Sequence, residues 1–152
     1  MARLTSRGSG TRSLWVTGAM LCVAGITLSG CVAEDPLTQI RAFLATERDS
    51  RDALPDNAAT DGLDMDSSRL VGERDGIKYF VAAYNTSGAC IFMVDETSGT
   101  AGSACGDSPN LLMSVVTNTG GVKVYKSTDE IPEGWTQLGD FLIVNPDATV
   151  LQ

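Results

Sequence analysis

The chain has 152 residues, with 19 acids against 11 bases and no histidine, for a formal net charge of −8. That balance argues against a nucleic-acid binder, because phosphate contacts need clustered Lys and Arg. The missing histidine excludes Ser-His-Asp and Cys-His catalysis and any His-ligated zinc site.

Arg3, Arg7 and Arg12 precede an apolar run from Leu14 to Leu28, and no acid occurs before Glu34. A positive start, a short apolar stretch and small residues before a cut make a secretory signal. The run spans 15 residues, whereas a membrane-crossing helix needs about 20. A retained helix is therefore the weaker reading, and an ordinary signal peptide cut elsewhere is the other alternative. No adjacent arginine pair is present, which favours general secretion over twin-arginine export. The closing tetrapeptide Leu28-Ser29-Gly30-Cys31 resembles a bacterial lipobox. The resemblance implies cleavage between Gly30 and Cys31, diacylglycerol on the Cys31 thiol and a further acyl chain, such as palmitate, on the new amino group. Two chains give stable anchoring where one is marginal. The expected location is the extracytoplasmic face of the cell membrane, held through acyl chains on Cys31.

With residues 1–30 assigned to the signal peptide, 122 residues remain, enough for one small domain with extras. Three arginines and no acid leave with the signal, so 8 bases face 19 acids and the net charge becomes −11. Such a surface is repelled by anionic head groups, and its plain reading is solubility. Of the four cysteines, the lipobox resemblance implies that Cys22 leaves with the signal and that Cys31 takes lipid. Cys90 and Cys105 remain in an oxidising compartment, which points to a disulfide. Two buried free thiols are the alternative. Closing a loop of this length is worth roughly 3 kcal/mol on chain-entropy grounds.

Residues 31–54 read as a lipid-anchored stalk with a helix. Asp35 suits the N-cap and Pro36 the first helical position. Leu37, Ile40 and Leu44 fall on one face with Phe43 beside them. Glu47/Arg51 and Arg48/Asp52 are i,i+4 pairs that extend the helix over 36–52, and Leu54-Pro55 ends it. Docking on the domain is the simpler expectation, and a stalk near the membrane is the alternative. Residues 55–68 read as an acidic linker. From 56 to 68 there are four acids, no base and no periodic apolar pattern. Asp61, Asp64 and Asp66 fail the calcium-loop pattern, because Gly62 is misplaced and no glutamate follows at position twelve.

Residues 69–152 read as a small β domain, so the fold class is mainly β: an antiparallel sheet, sandwich or open barrel behind one short helix. The expected strands are Arg69–Glu73, Ile77–Tyr84, Ala89–Val94, Ala101–Cys105, Leu111–Thr117, Val122–Lys126 and Phe141–Val144. Arg74-Asp75-Gly76 is a hairpin turn. The unbroken apolar run Ala89–Val94 predicts a central strand covered on both faces. Asn118-Thr119-Gly120-Gly121 closes another hairpin. Ser127 to Gly139, with Pro132 and Gly134, reads as an irregular crossing, and Asn145-Pro146 ends the last strand.

Several short motifs lie between residues 69 and 135. They are Arg69-Leu70-Val71, Asp75-Gly76 with Tyr79, Gly88-Ala89-Cys90-Ile91, Ser103-Ala104-Cys105 and Ile131-Pro132-Glu133-Gly134-Trp135. The layout resembles small membrane-tethered, largely uncharacterised proteins of high-GC Gram-positive bacteria. The resemblance implies a small β domain with one hairpin disulfide and brings no catalytic residues with it.

For chemistry, no phosphate-loop pattern is complete and no cofactor or metal ligand set is present. Ser114 and Ser127 have Lys123 and Lys126 within reach in sequence, so a Ser-Lys pair is conceivable, though such lysines usually decorate an exposed face. Asp129, Glu130 and Glu133 cluster near Trp135 as candidate interaction residues. A carboxylate pair beside an aromatic could bind or cleave sugar, while the plainer reading is an acidic turn with Trp135 as a core lid. The expected function is a non-catalytic envelope-interaction module facing an envelope protein or glycan. Its contact surface is expected on the loops Asp95–Thr100, Gly106–Asn110 and Ser127–Gly134. The alternative is a small cell-envelope hydrolase using a carboxylate pair.

Overall fold

The computed structural model describes residues 34–108 and 113–149. The expected signal segment, Cys31 and the expected start of a strand at Leu111 lie outside the described residues. Helix α1 (Pro36–Leu44) begins as its sequence dictates. Asp35 Oδ1 accepts from Thr38 N at 3.0 Å, Oδ2 accepts from Thr38 Oγ1 at 2.7 Å, and Pro36 occupies the first turn. The helix stops at Leu44, short of the expected 52, so the Glu47/Arg51 and Arg48/Asp52 pairs do not share a helix face. The cause is local competition for hydrogen bonds. Asp49 and Asp52 build a capping box around a separate 3-10 turn, Ser50–Asp52, which a continuing helix could not accommodate. Leu37 and Ile40 are buried in the core. The helix is therefore part of the domain and not a stalk.

The chain is mainly β, in two antiparallel four-stranded sheets. The first is a meander of β1 (Leu63–Arg74), β2 (Ile77–Tyr84), β3 (Gly88–Asp95) and β4 (Thr100–Gly106). The second contains β5 (Ser114–Thr117), β6 (Gly120–Val124), β7 (Thr136–Leu138) and β8 (Leu142–Asn145), in the order β5-β6-β8-β7. The β1–β2 turn is made by Asp75 (φ 53°) and Gly76 (φ 78°). Two left-handed residues twist a two-residue hairpin the way its strands twist. The β5–β6 turn needs only Asn118 and Thr119, because Gly120 and Gly121 already pair with Thr117 and Val116. β7 lies inside the stretch expected to be irregular. Its three residues pair with β8 in register, Gln137 opposite Ile143.

Side-chain alternation divides the core in two. Tyr79 and Val81 of β2 and Ala89, Ile91 and Met93 of β3 face Val115, Val122, Val124, Leu142 and Val144 of the second sheet, with α1 closing the set. The alternate residues Phe80, Ala82, Cys90, Phe92 and Val94 form a second cluster with Leu54 and Ala58. β3 is thus covered on both faces, as its apolar run predicts.

The cover on the second face comes from the segment between α1 and β1, and it corrects the expected linker. Residues 63–68 begin β1, and Asp56–Ala58 forms a 3-10 turn. Leu63 and Met65 pack against the second cluster while Asp64 and Asp66 point outward. Between the pairs Asp64↔Ala83 and Arg69↔Val81, four residues of β1 lie opposite Ala82 alone. Such a bulge strands backbone groups, and polar side chains recover them. Ser67 Oγ accepts from Ala83 N at 2.7 Å and donates to Asp64 O at 2.6 Å. Ser68 Oγ, fully buried, lies 2.5 Å from Asp52 O and 2.8 Å from Met65 O. The buried Asp52 carboxylate accepts from Leu70 N and from Asp49 N, both at 2.8 Å. The Arg69 guanidinium bridges Thr46 O at 2.6 Å to Ser67 O and Ser68 O at 3.0 and 2.9 Å.

Cys90 and Cys105 form a disulfide across directly opposed positions of β3 and β4, with Cα atoms 4.0 Å apart. Cys90 is buried under the covering segment and Cys105 is exposed, so the bond pins an edge strand to the central one.

Two consequences are measurable by denaturant unfolding. Asp52→Ala leaves two backbone donors without their acceptor and should cost about 2–4 kcal/mol, at roughly 1–3 kcal/mol per orphaned group. A loss under about 0.5 kcal/mol, the usual size of a neutral surface change, would contradict the network. Replacing Cys90 and Cys105 together by alanine should cost about 2–5 kcal/mol, and an unchanged midpoint would show that the bond adds nothing to stability.

Candidate functional site

The residues singled out by sequence lie on the connection from β6 to β7. Tyr125 is buried at its start and donates through Oη to Asp129 O at 2.9 Å. Asp129 N closes a turn onto Lys126 O at 2.8 Å, and Trp135 N closes another onto Pro132 O at 3.0 Å. The loop is therefore held by its own backbone and one tyrosine. Asp129, Glu130 and Glu133 all project into solvent. The Asp129 carboxylate receives a 3.5 Å contact from Thr128 Oγ1, too long to weigh much. The three acids share a loop but do not converge on a cleft.

Trp135 is half-buried on the outer face of the second sheet. The Lys123 ammonium stands 4.1 Å from its ring centroid, a cation–π contact of roughly 0.5–1 kcal/mol at an exposed site. Gly121 gives the indole its seat, since a Cβ there would lie 3.2 Å from Trp135 Cη2 and 2.9 Å from Ala148 Cβ. Ser114 and Lys123 are cross-strand partners, so the Ser-Lys pairing does bring two residues together. The lysine ammonium, however, sits over the tryptophan ring and Ser114 is exposed. Among the described residues, no group of three or more His, Cys, Asp or Glu is placed to hold a metal ion.

The structure adds a feature that residue patterns did not reveal. The covering segment leaves a cleft of about 460 Å³ on the outer face of the first sheet. Leu54, Phe80 and Val94 form its floor, and Asn57 Nδ2 ties one wall to Gly99 O at 3.0 Å. At the rim, Lys78 Nζ and Glu96 Oε1 pair at 2.6 Å. Its volume falls within the range of small-ligand sites. It offers an apolar floor and a neutralised ion pair, a surface suited to contact. On its lining, the Ser98 hydroxyl and then the Thr97 and Ser98 N–H groups hold the Asp95 carboxyl below its ordinary value. Thr38, through its hydroxyl and its N–H, does the same for Asp35.

Comparison with protein-family models, with curated proteins and with solved structures finds no match. What the described residues show is a small β domain of two antiparallel sheets carrying the Cys90–Cys105 disulfide.

Two outcomes follow from this geometry. Gly121→Val should overpack the Trp135 seat, cost about 1–3 kcal/mol and shift Trp135 emission towards that of solvated indole; unchanged emission would show that Gly121 does not seat the ring. Asp35 and Asp95, with folded values depressed, stabilise the fold above their ordinary 3.8 and lose that contribution as pH falls through the lower folded values. The Asp95→Asn variant should therefore show a flatter fall of melting temperature with acid than the parent, and parallel curves would refute the assignment.

Proposed function

We propose that the chain from Cys31 onward is a lipid-anchored domain on the extracytoplasmic face of a bacterial cell membrane, acting as a non-catalytic interaction module. The observation that carries this reading is Leu28-Ser29-Gly30-Cys31 at the end of an arginine-led apolar run of 15 residues. A cysteine directly after small residues can take lipid through its thiol, and the run before it is too short to span a bilayer. The motif layout from Arg69 to Trp135 supports the same class of membrane-tethered protein.

The module meets its partner, an envelope protein or glycan, through exposed loops. Loops on a rigid scaffold are where binding residues concentrate. The acids Asp129, Glu130 and Glu133 favour a cationic partner, and the loop at 95–100 borders the outer cleft.

Cys31→Ala should abolish incorporation of a fatty-acid probe and leave unprocessed precursor in the producing cell. A label that survives the substitution overturns the anchoring. Screening the mature domain against peptidoglycan, glycan and ester substrates should give no turnover. Turnover lost on changing any one of the three acids to its amide would replace the module with a hydrolase.

A further inference from the structure

We propose that the α1 end of the domain stands directly against the membrane, with the cleft between α1 and Phe141 as its lipid-facing surface. This rests on the anchoring of Cys31 proposed above. Three peptide steps separate Cys31 from Glu34, and an extended chain covers at most about 3.6 Å per residue, or roughly 11 Å. Beyond Glu34 the chain has no slack. Asp35 caps α1, Leu37 and Ile40 are buried, and the Arg41 guanidinium donates to Ser87 O in the β2–β3 turn. A docked helix thus turns what looked like a stalk into a tether of a few residues.

The cleft opens where that tether ends. It encloses about 400 Å³ and is lined by Glu34, Gln39, Phe43, Asp140 and Phe141 among others. Phe43 and Phe141 meet edge to face with centroids 5.5 Å apart. Gln39 Oε1, buried on the same lining, has no hydrogen-bond donor among the described residues. An aromatic floor, an acceptor without a donor and two carboxylates suit an ammonium- or hydroxyl-bearing lipid head group, and repel an anionic one. The β3–β4 turn with Glu96 lies at the far end of β3 from Ser87. Eight residues of strand put roughly 25 Å between those ends. In this posture the loop at 95–100 and its cleft face away from the bilayer, open to a partner.

The test uses the mature protein, processed by the producing cell and purified with its lipid, in phosphatidylethanolamine/phosphatidylcholine vesicles carrying a nitroxide on a fraction of head groups. A fluorophore is attached without reductant to Ala42→Cys or to Glu96→Cys, both exposed sites. Quenching should be several-fold stronger at Ala42→Cys. Equal or reversed quenching, with acyl chains confirmed on the amino-terminal peptide by mass, overturns the posture and leaves the anchoring intact. Absence of acyl mass on Cys31 instead removes the anchoring, and the posture falls with it.

Discussion

The Asp52 carboxylate is the point on which the arrangement of the domain turns. It accepts from Leu70 N in β1 and from Asp49 N in the segment ahead of it. One side chain thereby joins a strand to the stretch that covers it. A buried carboxylate is costly unless its lone pairs are filled, and here two backbone N–H groups fill them. Ser68, fully buried, and Arg69 carry the same stitch along the bulge. Without these bonds, the four residues of β1 opposite Ala82 would bring unpaired backbone groups into a half-buried edge.

What the stitch secures is the second face of the first sheet. Phe80, Phe92 and Val94 would otherwise be open to water. Leu54 and Ala58 cover them because residues 46–58 are held across β1. A domain this small has little core to spare, and covering one sheet on both faces adds to the apolar surface it removes from water. The disulfide works on the same layer from the opposite edge, joining β4 to β3 beneath that cover.

The parts legible in sequence are those whose signals are local. Asp35-Pro36 marks the start of α1, Asp75-Gly76 marks its hairpin turn, and the apolar run in β3 marks a strand covered on both faces. The acidic stretch before Arg69 conceals a strand, because Leu63 and Met65 do alternate with Asp64 and Asp66 but the density of acids reads as linker. The bulge then breaks the period, and what holds it is Asp52, distant in sequence. β7 is three residues long and depends on β8 for its hydrogen bonds. For the candidate site, adjacency in sequence was a poor guide to convergence. Asp129, Glu130 and Glu133 are neighbours on a loop that fans them outward. The outer cleft is built by a segment folding across β2 and β3, a contact with no local signature.

The central claim is that residues 46–58 are structurally part of the β domain, locked on by Asp52 and the serines of the β1 bulge. Native-state amide hydrogen exchange tests it most directly. The Leu70, Ala83 and Asp49 N–H groups are each bonded to a side-chain acceptor in the network. If the account holds, they exchange only through opening nearly as costly as global unfolding, together with the amides of β2 and β3. Exchange of these three at the rate of an open loop, while the remaining amides of β2 and those of β3 stay protected, would contradict it.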